Sequence, residues 1–131
     1  MRKENWPEIL AGEIKAAKSR PFSWGQHDCC AFAARVVQAL TGEDFLQDFP
    51  AYHDAVGAGA ILGEGTVEDI ANVCLGEPIP PLSAQRGDVC LIDTPDGPAL
   101  GICDGAWIWC AARTGLNCRP LADARHAWRV A

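Results

Sequence analysis

The order of two hydrophobic patterns along the chain constrains the fold more than any other feature. In the first half apolar residues recur at helical spacing, and in the second half short apolar runs alternate with turn signals such as Asp104-Gly105. The predicted helices cover residues 7–19, 29–41, 52–62 and 66–75. The predicted strands cover residues 87–93, 98–103, 106–111, 116–119 and 127–130. Helices followed by an antiparallel meander predict an α+β fold, with N-terminal helices packed on a C-terminal antiparallel sheet.

Length and composition predict one domain over residues 1–131, with a leading helix in residues 1–20 and the core in residues 21–131. The chain has 131 residues, of which 49% are hydrophobic and 21% are charged, and this balance is typical of a globular protein with one core. A net charge of −6 argues against a nucleic-acid partner, which would need clustered lysine and arginine. No apolar run approaches the length of a membrane span.

The cysteines predict free thiols rather than a disulfide framework. The N-terminus lacks the apolar region of a signal peptide, which favours synthesis and folding in a reducing cytoplasm. Seven cysteines are an odd number, so they cannot all pair within one chain. No Cys-x-x-Cys and no Cys/His pair at zinc-ligand spacing occurs, so we predict neither a metal nor a cofactor. Cys90, Cys103 and Cys110 lie in strand-like runs and are predicted to be small buried residues.

Cys29 is the candidate nucleophile. A polar, turn-prone segment ends at Asp28, a natural N-cap, and the apolar segment that follows ends at Gly42, a natural helix stop. This places Cys29 in the first turn of a helix, where the helix dipole favours thiolate over thiol. The alternative is that Cys29 is only a small buried residue at the start of a core helix.

Three segments together resemble the NlpC/P60 group of papain-like cysteine peptidases. They are Asp28-Cys29, Gly87-Asp88-Val89 and Ala99-Leu100-Gly101-Ile102. In that group an Asp-Cys pair opens the core helix, a Gly-Asp-hydrophobic strand follows, and a strand of the form His-Val-Gly-Ile carries the general-base histidine. The resemblance therefore implies a papain-like domain.

The chain more closely resembles a small phage and prophage protein family of unknown function with the same NlpC/P60-like pattern. The motifs that carry this likeness are Trp24-Gly25, Asp28-Cys29-Cys30, Gln85-Arg86-Gly87-Asp88-Val89, Ala99-Leu100-Gly101-Ile102-Cys103-Asp104-Gly105 and Ala127-Trp128-Arg129-Val130. They run from about residue 20 to the C-terminus. The resemblance implies a tail-tip protein that is made in the host cytoplasm, enters the virion and binds other tail-tip or hub proteins.

The chain departs from the peptidase pattern at one decisive position. Ala99 stands where the peptidases have histidine, and alanine cannot accept a proton. The resemblance therefore carries over Cys29 as nucleophile but no base. Two candidate replacements are His126, which precedes the last predicted strand, and His27 in the loop before Cys29. The alternatives are a packing or surface role for His126 and a solvated loop position for His27, while His53 is predicted to be exposed.

Tryptophans are the candidate binding residues. Trp24 is predicted to line a groove over the Cys29 helix or to cover the core there, and the two roles are compatible. Trp107 and Trp109 occupy positions i and i+2 of one predicted strand and share a face. If that face is outward, they form an adhesive patch; otherwise they belong to the core. Partly exposed tryptophans favour interfaces.

Three functions follow from these observations. The preferred one is a structural tail-tip component with a degenerate NlpC/P60-like fold and no hydrolytic activity. The alternative is a cysteine peptidase or amidase that cleaves peptidoglycan stem peptides through a thioester at Cys29, with backbone N–H groups at the helix start holding the oxyanion. A third, weaker hypothesis is a thiol or metal site built from Cys29, Cys30 and a strand cysteine, which needs three or four converging thiolates.

Overall fold

A computed structural model describes residues 1–49, 52–62 and 66–131. The helices are α1 (Trp6–Ala17), α2 (Cys29–Thr41), α3 (Ala55–Leu62) and α4 (Val67–Leu75). The strands are β1 (Val89–Thr94), β2 (Gly97–Asp104), β3 (Trp107–Ala111), β4 (Leu116–Pro120) and β5 (His126–Trp128), with short 3-10 turns at Pro81–Ser83 and Leu121–Asp123. The predicted α+β order, N-terminal helices and a C-terminal antiparallel sheet in one small domain, is confirmed.

The strands form one antiparallel sheet in the order β4-β3-β2-β1-β5. The first four make a meander, and the chain then returns so that β5 pairs with β1 on its free side. Both predicted hairpin turns are present: Thr94 pairs with Gly97, and Asp104 pairs with Trp107. β2 therefore lies in the centre of the sheet, and this position brings it under the start of α2.

Helices α1, α2 and α4 pack over one face of the sheet. The apolar stripe of α2, with Phe32, Val36 and Leu40 almost fully buried, packs with α1 and with Leu100 of β2 and Leu91 of β1 in one continuous cluster. Burial of a side chain of this size contributes about 1.5–3 kcal/mol. This helix-side core fixes α2 against the middle of the sheet.

The other face of the sheet carries a second, smaller apolar cluster. Its buried members are Cys90, Ile92, Cys103, Ile108, Cys110 and Ala127. Ile79 and Ala84 from the proline-rich connector, and Leu121 and Ala124 from the segment after β4, pack over it. The prediction that the three strand cysteines are small buried residues is confirmed.

Helix boundaries follow the predicted capping signals. The Asp28 carboxylate accepts from the backbone N–H of Ala31 at the start of α2, and Gly42 ends that helix with φ = 86°. Thr66 and Asp69 form the predicted capping box at α4. Two helices are shorter than predicted. α1 ends at Ala17 rather than at residue 19, and α3 begins at Ala55 rather than at residue 52.

Asp88 is a buried junction at the start of β1. Its carboxylate closes the turn before β1 by accepting from the Gln85 N–H at 2.9 Å. It also accepts from the Arg2 side chain at 3.0 Å and the Val130 N–H at 2.9 Å, and Arg129 lies 3.3 Å away. The predicted strand at 127–130 ends at residue 128, because the Val130 N–H is directed to this carboxylate.

None of the helices in the described part of the chain is long and apolar enough to cross a membrane.

Candidate functional site

A groove of about 1650 Å³ opens at the N-terminal end of α2, and Cys29 lines it. Phe22 and Trp24 form part of its wall, with ring centroids 4.9 Å apart in an edge-to-face arrangement. Both rings remain more than one-third exposed. The structure therefore places Trp24 in the groove wall, the location that its position before the Cys29 helix predicted.

Asp28 organises the entrance to α2. Its buried carboxylate accepts from the backbone N–H groups of Gly25 and Ala31, each at 2.8 Å, and from the Tyr52 hydroxyl at 2.5 Å. The first two bonds are local consequences of an aspartate N-cap after a glycine turn. The third comes from a residue that no sequence signal connected with the site, and it fixes the segment before α3 beside the start of α2.

The pKa of the Cys29 thiol is lowered. The largest cause is the Cys30 thiol, whose sulfur lies 4.0 Å from that of Cys29 and which hydrogen-bonds to the thiolate. Burial and the Asp28 carboxylate act in the opposite direction. The same pairing, together with burial, raises the pKa of Cys30 far above its usual range. Cys29 is thus the thiol of the pair that ionises first.

A backbone group of β2 adds to this effect. The N–H of Leu100 also hydrogen-bonds to the Cys29 sulfur and lowers its pKa. Among the described residues β2 pairs with β3 only from Ile102 to Asp104, so the strand is open to α2 at the level of Leu100. No side-chain pattern reveals such a donor, and sequence reasoning could not find it.

None of the three imidazoles in the chain hydrogen-bonds to Cys29 in the described structure. His27 is buried, with Nε2 2.8 Å from the Gly115 carbonyl oxygen and its ring edge against Phe32. The carbonyl can only accept, so Nε2 carries the hydrogen, and Nδ1 has no partner among the described residues. The loop position of His27 predicted solvation, and the structure instead buries the ring.

His126 and His53 occupy different positions relative to the thiol. His126 Nε2 is 3.0 Å from Glu68 Oε1 of α4, and its strand β5 is separated from β2 by β1. The structure therefore supports the packing alternative for His126. His53 is exposed, as predicted, and lines the groove with Cys29.

Ala99 precedes Leu100 and lies beside the groove. Its side chain packs against the second apolar cluster, whereas Leu100 belongs to the helix-side core. Adjacent strand residues point to opposite faces, which accounts for this difference. Leu100 contacts Cys29 through its backbone N–H, and its side chain belongs to the helix-side core.

The two strand tryptophans have different environments. Trp109 packs against the helix-side core, donates from Nε1 to Asp104 at 3.1 Å and lies under the Lys18 ammonium at 4.6 Å. Trp107 is 53% exposed. Lys18, which directly follows α1, covers the Trp109 ring but not the Trp107 ring. The outward patch considered above is therefore reduced to Trp107.

The described residues contain no group of three His, Cys, Asp or Glu side chains placed to hold a metal ion. All seven cysteines are free thiols. The ligand set required by the third hypothesis is thus not assembled in that part of the chain.

A family model described as "Domain of unknown function (DUF6950)" matches residues 1–130. No curated protein matches the chain.

Proposed function

The chain belongs to the family described as a domain of unknown function, DUF6950, and we propose that it is a phage or prophage tail-tip component with a degenerate NlpC/P60-like (papain-like) fold. In this role the domain docks on a hub or neighbouring tail protein and does not cleave a substrate. The observation that carries the proposal is the environment of Cys29, which within the described ranges has thiol and backbone partners but no imidazole partner.

The missing imidazole matters at two steps of amide cleavage. A base is needed to activate the nucleophile, and the lowered pKa of Cys29 meets part of this need. An acid is also needed to protonate the leaving amine, and neither Cys30 nor the Leu100 N–H acts as an imidazolium does. Among the described residues the site thus has a thiol of lowered pKa without the group that completes turnover.

The ordered motif set supports the tail-tip assignment through the resemblance described above. The groove supports docking, because Phe22 and Trp24 keep exposed aromatic surface beside the α2 entrance. Aromatic side chains of this kind contribute a large share of binding energy at protein interfaces.

Particles that carry single substitutions test the proposal. We expect deletion of the gene to abolish the tail tip, Trp24→Ala to weaken incorporation of the protein, and Cys29→Ala to leave particles assembled and infectious. Normal tails after deletion would overturn the structural role. Loss of infectivity in Cys29→Ala with intact tails would indicate catalysis instead.

The runner-up is a cysteine peptidase or amidase acting on peptidoglycan stem peptides. It is favoured by the lowered pKa of Cys29 and by His53, the one histidine that lines the groove. Incubation of the purified protein with stem peptides tests it. Hydrolysis that Cys29→Ala and His53→Ala each abolish would establish this activity, and an unchanged peptide would exclude it.

A further inference from the structure

We propose that Cys29 is a site of reversible oxidation by peroxides and that Cys30 is its resolving thiol. This inference concerns the vicinal thiol pair itself and does not depend on the tail-tip role.

The geometry of the pair carries the inference. Both cysteines line the groove and are partly exposed, and their sulfurs lie 4.0 Å apart. A redox-sensitive cysteine is typically an accessible thiol of low pKa beside a second thiol. Cys29 meets each of these conditions, since the Cys30 thiol and the Leu100 N–H both stabilise its thiolate.

A second thiol pair in the same molecule provides the contrast. Cys90 and Cys103 also hydrogen-bond to each other, and this contact lowers the pKa of Cys103 and raises that of Cys90. Both are fully buried in the second apolar cluster, under the connector and the segment after β4. The two pairs have similar electrostatics and differ in access, so a peroxide can reach only the first.

The chemistry proceeds in two balanced steps. The Cys29 thiolate attacks one oxygen of hydrogen peroxide, the O–O bond breaks, and Cys29 sulfenic acid and hydroxide form. The Cys30 sulfur then attacks the sulfenic sulfur, the S–O bond breaks, and the departing hydroxide takes the Cys30 proton to give water and the disulfide. The peroxide is the two-electron oxidant, and the two thiols are together oxidised by two electrons.

Disulfide formation requires the first turn of α2 to open. The sulfurs must approach from 4.0 Å to about 2.05 Å, and neighbouring Cα atoms lie below the separation usual for a disulfide. The backbone N–H of Cys30 hydrogen-bonds to the Cys29 sulfur, so this contact must rearrange when the peptide turns. The product is a strained disulfide, which a thiol reductant removes readily.

Peptide mapping after peroxide treatment tests the proposal. Trypsin cleaves after Lys18 and Arg35 but not between Arg20 and Pro21, so one peptide, residues 19–35, contains Cys29 and Cys30 and no other cysteine. We expect this peptide to become two hydrogen atoms lighter and resistant to alkylation, and to recover after mild reduction. A fall of one unit in the pKa of Cys29 toward the ambient pH raises the thiolate fraction about tenfold and lowers the nucleophilicity of the sulfur about threefold. The rate of Cys29 oxidation therefore rises about threefold for each such unit. Oxidation of the buried Cys90–Cys103 pair should be at least about tenfold slower.

Two variants separate the roles of the thiols. Cys30→Ser should trap the sulfenic acid at Cys29, which dimedone labels, and Cys29→Ser should give neither adduct nor disulfide. Cys30→Ala serves the same purpose if the serine variant fails to fold. The proposal is overturned if, during peroxide treatment, Cys29 and Cys30 of the wild-type protein lose their reactivity toward the alkylating reagent no faster than the buried Cys90 and Cys103. It is equally overturned if Cys29 pairs with a different cysteine or if dimedone labels wild type and Cys30→Ser alike.

Discussion

The Tyr52 hydroxyl donates a hydrogen bond of 2.5 Å to Oδ2 of Asp28, the residue that caps α2. Burial and the adjacent carboxylate raise the pKa of Tyr52 well above its usual range. The phenol thus remains a donor over the whole physiological pH range, and it ties the segment before α3 to the entrance of the Cys29 helix.

Removal of this hydroxyl should loosen the groove. Tyr52→Phe retains the ring and leaves one lone pair of a buried carboxylate without its donor, so we expect a loss of about 1.5–3 kcal/mol in the free energy of unfolding. Urea denaturation measures it. Val56→Ala, at a side chain that is 83% exposed, is the control and should change stability little. Equal stability of the two variants would show that the bond contributes nothing.

Gly25 is required both by its backbone conformation and by the space around it. Its φ is +79°, and a Cβ there would overlap the Tyr52 carbonyl oxygen. Gly105 is the control, because its φ is +71° but no atom lies within 4 Å of such a Cβ. Its substitution therefore measures the cost of the backbone conformation alone. We expect Gly105→Ala to cost about 1–2 kcal/mol and Gly25→Ala to cost more, with a displaced Tyr52. Thermal unfolding of both variants measures the difference, and equal losses would argue against the close approach.

Asp88 should be among the least replaceable polar residues. Its side chain is fully buried and lies within 3.3 Å of two arginines, so Asp88→Ala should reduce the free energy of unfolding by about 3–5 kcal/mol. Asp123 forms an exposed pair with Arg119 at 3.0 Å, and Asp123→Ala should cost less than about 0.5 kcal/mol. Chemical denaturation of the pair of variants tests the contrast. A loss below about 1 kcal/mol for Asp88→Ala would contradict the junction role.

Stability should fall in alkaline solution. Thiols such as Cys30 and Cys90 have folded-state pKa values above the unfolded value of 9.0, so the folded chain keeps protons that the unfolded chain releases. Their contribution is complete below pH 9 and is lost as the pH rises above it, by at most about 1.4 kcal/mol per pH unit for each proton. Cys29, whose folded pKa is lowered, contributes with the opposite sign: its stabilisation is present above pH 9 and is lost as the pH falls through its folded value.

Denaturation between about pH 8 and 11 measures the net slope of the free energy of unfolding against pH. Cys30→Ala should make this slope less steep, and a flat profile would contradict the raised thiol pKa values.

The His27 imidazole should be the Nε2–H tautomer, because Nε2 faces a carbonyl oxygen. Nitrogen chemical shifts of the labelled ring distinguish the two tautomers. Hydrogen on Nδ1 would mean that the ring is turned and that the contact with Gly115 is absent.

Sequence reasoning identified the elements and their caps because those signals are local. Asp28 and Gly42 bound α2, and the glycine turns bound the hairpins, through interactions within a few residues of each other. The apolar, strand-like runs around Cys90, Cys103 and Cys110 likewise predicted that these residues are buried.

The parts that sequence reasoning missed depend on contacts between distant residues or on the backbone. Tyr52 reaches Asp28 across 24 positions, and the Leu100 N–H belongs to no side-chain pattern. His27 lies in a polar loop, whose composition predicts an exposed side chain. Its burial depends on the Gly115 carbonyl oxygen, 88 positions away in the sequence, which accepts from the ring. Local chemistry therefore predicted where the thiol lies, and tertiary structure determines what surrounds it.

The junction at Asp88 has a consequence for when this domain folds during synthesis. Arg2 binds both Asp88 and the carbonyl oxygen of Val130, which lies 128 positions further along. Contacts of such long range are expected to form late, because the loop that joins them must close first. During synthesis the buried carboxylate lacks the Val130 N–H and the Arg129 guanidinium until these two residues have left the exit tunnel, so this junction closes after the rest of the sheet has been made.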